Sequence, residues 1–192
     1  MKIGVLSIQG AVTEHLKHLE LCGVEAVAVN NAENLSAVSG LVIPGGESTT
    51  IGKLIAVSGL KNPIKERAKN ESLAVFGTCA GMVLMARDIT DGIDGQPKLE
   101  LMDIRVKRNA FGRQRESFET ELKFNLFDQP LTGVFIRSPI VTEVGPGVKI
   151  LAAIPEGIVA ARQKNLLSTS FHPELTGDIR VHHYFVEMCK GI

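Results

Sequence analysis

Residues 73–86 have the sequence LAVFGTCAGMVLMA. An apolar run with strand character ends at Gly77, and a run of helix-forming residues begins at Ala80. Cys79 lies between them in the pattern Gly-x-Cys-x-Gly, a nucleophile elbow with sulfur in place of the serine oxygen. Such a turn leaves no room for a Cβ beside it, and the helix N–H groups favour a thiolate. The segment predicts Cys79 as a nucleophile; a buried cysteine acting as a small hydrophobe is the alternative.

The pattern around the elbow predicts an α/β fold. In the first half, apolar strands alternate with helices; the strands are 2–8, 25–29, 40–43 and 72–76, and the helices are 12–22, 49–58, 62–70 and 80–87. Such apolar strands indicate a mostly parallel central sheet with helices on both faces, in a flavodoxin-like arrangement. After Asp88 comes a loop at 91–97, and then the pattern is typical of added antiparallel strands at 101–107, 118–124, 133–136, 150–154, 158–162 and 166–171, with a helix at 178–190.

A base for the cysteine is found in the sequence LLSTSFHPEL of residues 166–175. If this chain is extended, His172 and Glu174 project to the same side, and Pro173 stiffens the pair. A carboxylate beside an imidazole holds its tautomer and stabilises the imidazolium. The expected order is therefore nucleophile, base and orienting carboxylate, whereas a surface His-Pro-Glu turn is the alternative.

A third segment, LVIPGGESTT at residues 41–50, ends an apolar strand in two glycines. Backbone N–H groups of Gly45 and Gly46 could face a bound ligand, as an oxyanion hole requires. The Gly-x4-Gly-Lys-Ser/Thr pattern of a phosphate loop is absent, and an ordinary strand-to-helix loop is the alternative. Because ligands bind beyond the carboxyl ends of parallel strands, Gly45, Cys79 and His172 are expected at one edge of the sheet.

Bulk composition limits the class of protein. The chain has 192 residues, 21 basic and 21 acidic, so its formal net charge is zero. We expect one domain over residues 1–192, with neither a nucleic acid nor a membrane as partner. The start enters a strand directly, without the pattern of a signal peptide. Three widely spaced cysteines, Cys22, Cys79 and Cys189, suit a reducing cytoplasm better than a disulfide framework.

Two histidine pairs raise the question of a metal. His15 and His18 lie on the first predicted helix, and His182 and His183 lie on the last. Neither pair has an acidic or cysteine ligand set at metal-site spacing. We therefore expect no metal and interpret all four as helix-surface or interface histidines.

Longer motifs carry a resemblance to a known family. The Gly-Thr-Cys-Ala-Gly elbow and the His-Pro-Glu motif resemble the class I, triad-type glutamine amidotransferases. Within that family, the glutaminase subunits of pyridoxal 5′-phosphate synthases are the most similar, and the resemblance runs from residue 4 to the last helix. It rests on GVLSIQG at 4–10 with EH at 14–15, PGGESTT at 44–50, RNAFGRQ at 108–114, ESFE at 116–119, VFIRSP at 134–139 and FHPELT at 171–176. Arg115 departs from the pattern, which leads us to expect a small or apolar residue there.

The resemblance implies hydrolysis of L-glutamine to glutamate and ammonia, without a cofactor. It implies a catalytic set, a glutamine-binding set and an oxyanion hole. The catalytic residues would be Cys79, His172 and Glu174. The glutamine-binding residues would be Gly46, Glu47, Ser48, Arg108, Ile136 and Arg137. The oxyanion would be held by backbone N–H groups of Gly45, Gly46 and Ala80.

The resemblance also implies a partner. Free ammonia would be protonated in water, so a synthase subunit would take it internally to make pyridoxal 5′-phosphate. In the family, the glutaminase is weak until that partner docks and completes the oxyanion hole.

Three other functions are alternatives. A glutaminase subunit of another amidotransferase, such as imidazole glycerol phosphate synthase, would keep the triad but lack the motifs at 108–114 and 116–119. A cysteine hydrolase or peptidase with an elbow would usually lack His-Pro-Glu at the last strand. A non-enzymatic regulatory subunit would normally have lost one of the three residues.

Overall fold

The computed structural model of the protein describes residues 1–111 and 117–192. The first half alternates strands and helices, as the sequence predicts. Its elements are β1 (Lys2–Leu6), α1 (Val12–Leu21), β2 (Glu25–Val29), α2 (Ala32–Ser36), β3 (Gly40–Ile43), α3 (Ser48–Val57), α4 (Lys61–Lys69), β4 (Ala74–Thr78) and α5 (Ala80–Met85).

The second half is mostly strands. Its elements are β5 (Ala86–Ile89), β6 (Met102–Lys107), β7 (Ser117–Leu122), β8 (Leu131–Ile136), β9 (Ile140–Val144), β10 (Lys149–Ile154), β11 (Gly157–Gln163), β12 (Leu166–Thr169), a 3₁₀ turn at Pro173–Leu175 and α6 (Arg180–Lys190).

The central sheet is mixed, and its parallel part carries the site. The strand order is β2-β1-β3-β4-β12-β11-β9-β6-β5, with β10 beside β11. The first five strands of this order are parallel, and β3, β4 and β12 are neighbours, with Ile43 opposite Gly77 and Thr169 opposite Thr78. Parallel strands in register end at the same edge, so the segments that follow β3, β4 and β12 meet there.

The remaining strands are largely antiparallel, as predicted. Strand β11 pairs antiparallel with β12, β10 and β9, and β9 pairs antiparallel with β6. Strands β7 and β8 form a separate antiparallel pair. Together these strands extend the parallel part on one side and supply the loops that cover it.

Helices bury both faces of the sheet. Along β4, Val75 faces one apolar cluster, whereas Ala74 and Phe76 face the other. The first cluster is completed by α2, α3, α4 and α5, and the second by α1 and α6. This alternation explains why β4 is apolar throughout: a strand covered on both faces has no solvent side.

Three elements were not predicted. Helix α2 is short and begins after Asn31, whose side chain accepts a hydrogen bond from the Asn34 N–H at 2.9 Å. The predicted helix through Arg87 is wrong at its end, because α5 stops at Met85 and β5 follows at once to pair parallel with β6. Strand β9 follows Pro139 and has only two fully buried residues, so its apolar run is too short to stand out.

Candidate active site

Cys79 occupies the turn between β4 and α5. Its φ is 48° and its ψ is −101°, a conformation that costs a non-glycine residue energy and occurs mostly at functional sites. The Cys79 N–H donates to the Thr169 carbonyl at 2.8 Å, which ties the turn to β12. The Cys79 residue is 8% exposed. The backbone around Cys79 is thus held in one strained form by the two strands beside it.

The glycines of the elbow are required by close packing. A Cβ on Gly77 would lie 2.6 Å from the Gly81 carbonyl carbon, and a Cβ on Gly81 would lie 2.2 Å from the Ile43 carbonyl oxygen. Both distances are shorter than real Cβ contacts, and both involve backbone that cannot rotate away. The expectation that this turn leaves no room for a Cβ is confirmed.

His172 and Glu174 lie together behind the cysteine. His172 Nδ1 is 2.8 Å from Glu174 Oε1, and both residues are buried. The reason differs from the predicted one: the chain after β12 is not extended, because Pro173–Leu175 form a 3₁₀ turn. The turn brings the Glu174 carboxylate back onto the His172 ring. The backbone N–H of His172 also donates to the Val134 carbonyl of β8, at 2.8 Å.

The electrostatics of this group favour an ion pair. Burial acts to lower the pKa of His172, but the hydrogen bonds and charges of Cys79 and Glu174 raise it to about 10. Burial acts to raise the pKa of the Glu174 carboxyl, but contacts first with His15 and then with His172 hold it well below its usual value. The His172 ring thus faces a carboxylate on one side and the cysteine on the other, and both favour its protonated form.

The glycine pair follows β3 at the same edge. A Cβ on Gly45 would lie 2.5 Å from His172 Cε1 and 3.4 Å from Cys79 Cβ, so only glycine lets this backbone lie against both. Gly46 has a φ of +152°, which also favours glycine. Contacts with His172 and Cys79 therefore hold the Gly45-Gly46 loop in place.

Glu47 has a structural role that the sequence did not reveal. Its carboxylate accepts hydrogen bonds from the N–H groups of Thr49 at 3.0 Å and Thr50 at 2.7 Å, and so caps α3. Burial opposes ionisation, but the hydrogen bonds from Thr50 and Thr49 lower the pKa of Glu47 to about 2. Its carboxylate is engaged in the helix cap, although the residue borders the cavity.

One cavity of about 650 Å³ brings the predicted residues together. It is lined by Cys79, His172, Gly45, Gly46, Ala80, Glu47, Ser48, Arg108, Ile136 and Arg137. Glu174 does not line it, because that carboxylate lies behind the His172 ring. Arg137 has a φ of 44°, so this cavity contains two of the strained non-glycine residues of the described chain. Sequence reasoning missed Ala11, Val83, Asn109, Pro139 and Leu175 in the lining.

Sequence reasoning also missed the residues that hold Arg108. Gln96 Oε1 accepts from Arg108 Nη1 at 2.6 Å, and Gln96 Nε2 donates to Ser48 Oγ at 3.2 Å. Asp91 Oδ1 accepts from the backbone N–H of Arg108 at 2.7 Å. Asp91 and Gln96 belong to a segment that the sequence marks only as a loop, and nothing in its composition indicated a contact with Arg108.

The sequence predicts the four histidines as helix-surface or interface residues, and a surface position is wrong for three of them. His15 and His182 are fully buried and His18 is 6% exposed, whereas His183 is exposed. The signal was available: His15 and Leu19 share the inner face of α1, and His182 and Phe185 share that of α6. Within residues 1–111 and 117–192, no group of three or more His, Cys, Asp or Glu side chains could hold a metal ion.

The other two thiols lie in different surroundings. Burial raises the pKa of the Cys189 thiol to about 12 and also raises that of Cys22. Neither follows a strand at the cavity edge, so both remain thiols at neutral pH.

Part of the predicted motif falls outside the description. Residues 112–116 include the end of the stretch 108–114, the start of the stretch 116–119, and Arg115; they lie outside the described residues. Of the stretch 108–114, the structure describes Arg108, Asn109, Ala110 and Phe111.

Comparison with solved structures identifies the class. A crystal structure of a glutamine amidotransferase is 45% identical, with a TM-score of 0.93 over 99% of each chain. The structure of PurLQS from Thermotoga maritima has a TM-score of 0.67 at 14% identity, over 99% of this chain and 97% of that one, and shares the fold. Sheet and elbow are thus those of a glutamine amidotransferase.

Within that class, the model of the SNO glutamine amidotransferase family matches residues 5–191, and the chain belongs to this family. Among curated proteins, it is 54% identical over 190 residues to pyridoxal 5′-phosphate synthase subunit PdxT of Pelotomaculum thermopropionicum, covering 98% of this chain and 95% of the relative. The PdxT subunit of Carboxydothermus hydrogenoformans is 50% identical over 194 residues, covering all of both chains.

Proposed function

We propose that this protein is the glutaminase subunit of a pyridoxal 5′-phosphate synthase, with residues 1–192 forming one glutaminase domain. Family membership and the PdxT relatives support the activity. The observation that carries the proposal is the meeting of Cys79, His172 and the Gly45-Gly46 loop at one cavity, with Glu174 behind His172.

In the proposed reaction, His172 takes the proton from the Cys79 thiol. The Cys79 sulfur attacks the side-chain amide carbon, and the tetrahedral intermediate collapses as His172 gives its proton to the departing nitrogen. Ammonia leaves and a glutamyl thioester remains. His172 then takes a proton from a water molecule, the resulting hydroxide attacks the thioester, and glutamate and the thiolate are released. Glu174 holds the ring through Nδ1 during both steps.

Stabilisation of the oxyanion is assigned to backbone N–H groups of Gly45, Gly46 and Ala80. The Gly45 carbonyl packs against Gly10, where a Cβ would lie 2.0 Å from its oxygen. In a trans peptide the N–H points opposite to the carbonyl, so the Gly46 N–H is directed away from Gly10. A Gly-Gly peptide can rotate at little steric cost, so docking of a partner could change which group faces the substrate.

Recognition of glutamine is assigned to Gly46, Glu47, Ser48, Arg108, Ile136 and Arg137. Arg108 and Arg137 supply positive charge for the substrate carboxylate. Because the Glu47 carboxylate caps α3, any contact of Glu47 with the substrate is assigned to its backbone. No organic cofactor or metal is needed for these steps.

A synthase subunit is the proposed recipient of the ammonia, and the cytoplasm the proposed location. Ammonia released into neutral water is protonated and lost as a nucleophile, so a docked partner makes the chemistry useful. Among residues 1–111 and 117–192, no helix is long and apolar enough to cross a membrane.

The test is glutamate release by the purified chain, alone and with increasing synthase subunit. Losing one oxyanion donor costs about 10²–10³ in rate, so the free chain should be slow and should accelerate by roughly that factor. Cys79→Ser should abolish release in both conditions, and a glutamine-analogue electrophile should label Cys79 but neither Cys22 nor Cys189. A Cys79→Ser protein that still hydrolyses glutamine would refute the proposed function.

A further inference from the structure

A chain of buried polar side chains continues beyond Glu174, away from the cavity. Glu174 Oε2 lies 3.5 Å from His15 Nε2, and His15 Nδ1 lies 2.9 Å from His182 Nε2. His15 Nε2 is also 3.3 Å from the Thr78 hydroxyl, which precedes Cys79. The chain therefore joins α6 to α1, and α1 to the carboxylate that holds His172.

Two orphaned atoms mark this chain. In the part of the protein that the structure describes, the buried side-chain nitrogen and oxygen atoms without a hydrogen-bond partner are Glu174 Oε2 and His182 Nδ1. Both are members of the chain, and orphaned buried polar atoms are rare enough to need an explanation. His15 Nε2 lies 3.5 Å from the first of them. Contacts at reactive sites are commonly long before substrate binds, so 3.5 Å is compatible with a hydrogen bond that forms during the reaction.

Of the arrangements in which Glu174 accepts from His15, one leaves no buried N–H of this group without a partner. Glu174 is ionised and can only accept, so the proton of His15 belongs on Nε2. His15 Nδ1 is then an acceptor, and His182 Nε2 must donate to it. This leaves His182 Nδ1 as a bare lone pair, in agreement with its lack of a partner; a buried acceptor without a partner is tolerated better than a buried N–H.

The groups around the chain fit this arrangement. Burial lowers the pKa of His182 well below its usual value. His182 is therefore neutral. The His18 ring lies 4.7 Å from that of His182, but its nitrogens face the Glu14 and Thr176 carbonyls at 3.0 and 2.9 Å.

We propose that His15 is a positioning residue for the reaction: its Nε2–H donates to Glu174 Oε2, opposite His172, and His182 fixes the tautomer that makes this possible. The inference rests on the proposed function, since it concerns the same His172–Glu174 pair. His172 contacts the carboxylate from the cavity side, whereas His15 contacts it from α1, and His182 of α6 lies beyond His15.

A hydrogen bond at this position fixes the second carboxylate oxygen. With Oε2 held by the Nε2–H of His15, Oε1 stays directed at His172 Nδ1.

The test uses His15→Leu and His15→Gln in the complex with the synthase subunit. His15→Leu removes the donor at similar volume, and kcat should fall about 10- to 100-fold, as when an outer hydrogen-bond partner of a reactive group is removed. KM should change little, because His15 does not line the cavity. The acid limb of the kcat profile should move to higher pH, because burial then raises the pKa of Glu174 with less opposition. His15→Gln places an amide N–H near Nε2 and should recover most of the rate. His183→Leu, on the exposed side of α6, is the control.

A second measurement needs no variant. In the ¹⁵N-histidine-labelled chain, His15 should show a protonated Nε2 and a bare Nδ1 at neutral pH. A proton on Nδ1, or two protons on the ring, would overturn the assignment. Equal losses of kcat in His15→Leu and His15→Gln, with no shift in the acid limb of the kcat profile, would also overturn the assignment. That result would indicate that His15 acts by packing alone. If Cys79 is essential and His15→Leu is fully active, only this inference fails; if Cys79 is dispensable, the proposed function fails.

Discussion

Side chains enter the cavity from two regions that are held in different ways. The strand-end side consists of Gly45, Cys79 and His172, which follow β3, β4 and β12, and it is fixed by close backbone packing. The loop side consists of Arg108, Ile136 and Arg137. Its Arg108 donates hydrogen bonds to the side chains of Gln96 and Asp91.

The difference follows from what each side must do. Attack on a carbonyl group requires placement of the reacting atoms to well under 1 Å, and a packed core supplies that. Recognition of a flexible amino acid requires charge and hydrogen bonds, which polar contacts between loops can adjust. Substitutions on the strand-end side should therefore change kcat or folding, and substitutions on the loop side should change KM.

The largest effect is expected at His172. His172→Asn removes the proton carrier, and kcat for glutamate release should fall by about 10²–10⁴ with KM nearly unchanged. Glu174→Ala should cost less, because an orienting group contributes less than the base. Steady-state kinetics with the synthase subunit present provide the measurement. Small, equal losses in both variants would show that the His-Pro-Glu turn is only structural.

The elbow can be tested through Gly81. Helix propensity alone predicts that Gly81→Ala stabilises the protein by about 0.5–1 kcal/mol. The new Cβ would instead lie 2.2 Å from the Ile43 carbonyl oxygen, so we expect a loss of about 1–3 kcal/mol. Urea unfolding measures the change. Gly177→Ala is the matched control, because nothing lies within 4 Å of its Cβ; a Gly81→Ala protein as stable as this control would contradict the packing argument.

The loop side can be tested through Gln96. Gln96→Ala removes the bridge from Arg108 to Ser48, and a hydrogen bond to a charged group contributes about 1.5–3 kcal/mol. KM for glutamine should rise by roughly tenfold or more, with kcat nearly unchanged. Gln129→Ala, at an exposed position outside the cavity, is the control. A fall in kcat at constant KM would show that the two sides are not separable.

The smallest effect is expected at Glu47. Glu47→Ala removes the cap of α3 and should cost about 0.5–2 kcal/mol at neutral pH. The folded pKa of about 2 lies below the ordinary value of 4.5. The contribution is therefore complete above pH 4.5 and is lost as the pH falls towards 2, so the difference between variant and wild type should shrink on acidification. Unfolding curves across this range, with Glu20→Ala as an exposed control, test the sign.

Much of the strand-end side could be predicted from sequence, because its signals are local. A strand that is buried on both faces is apolar throughout, and β3 is such a strand and has the predicted bounds. The edge strand β2 has the predicted bounds as well. The glycines around Cys79 also mark a turn by themselves. These features depend on residues that are neighbours along the chain.

The rest depends on contacts between distant residues. Gln96 lies 48 positions from Ser48, and His15 lies 167 positions from His182, so no local pattern reports either contact. The pairing of His172 with Glu174 was predicted for an incorrect reason, since a 3₁₀ turn and an extended strand can both bring these residues together. The burial of His15 and His182 shows the same limit, because a titratable residue is expected at the surface until its partner is known.

The place of β12 beside β4 has a consequence for synthesis of the protein. Strand β4 ends at Thr78, but its neighbour begins only at Leu166. At about 5–20 residues per second, the ribosome takes several seconds to add the chain between them. During that interval β4 has one unpaired edge, which is a template for aggregation. His172 arrives after β12, so a nascent chain carries its nucleophile for several seconds without a base, and hydrolysis has to wait until the residues after β12 are added.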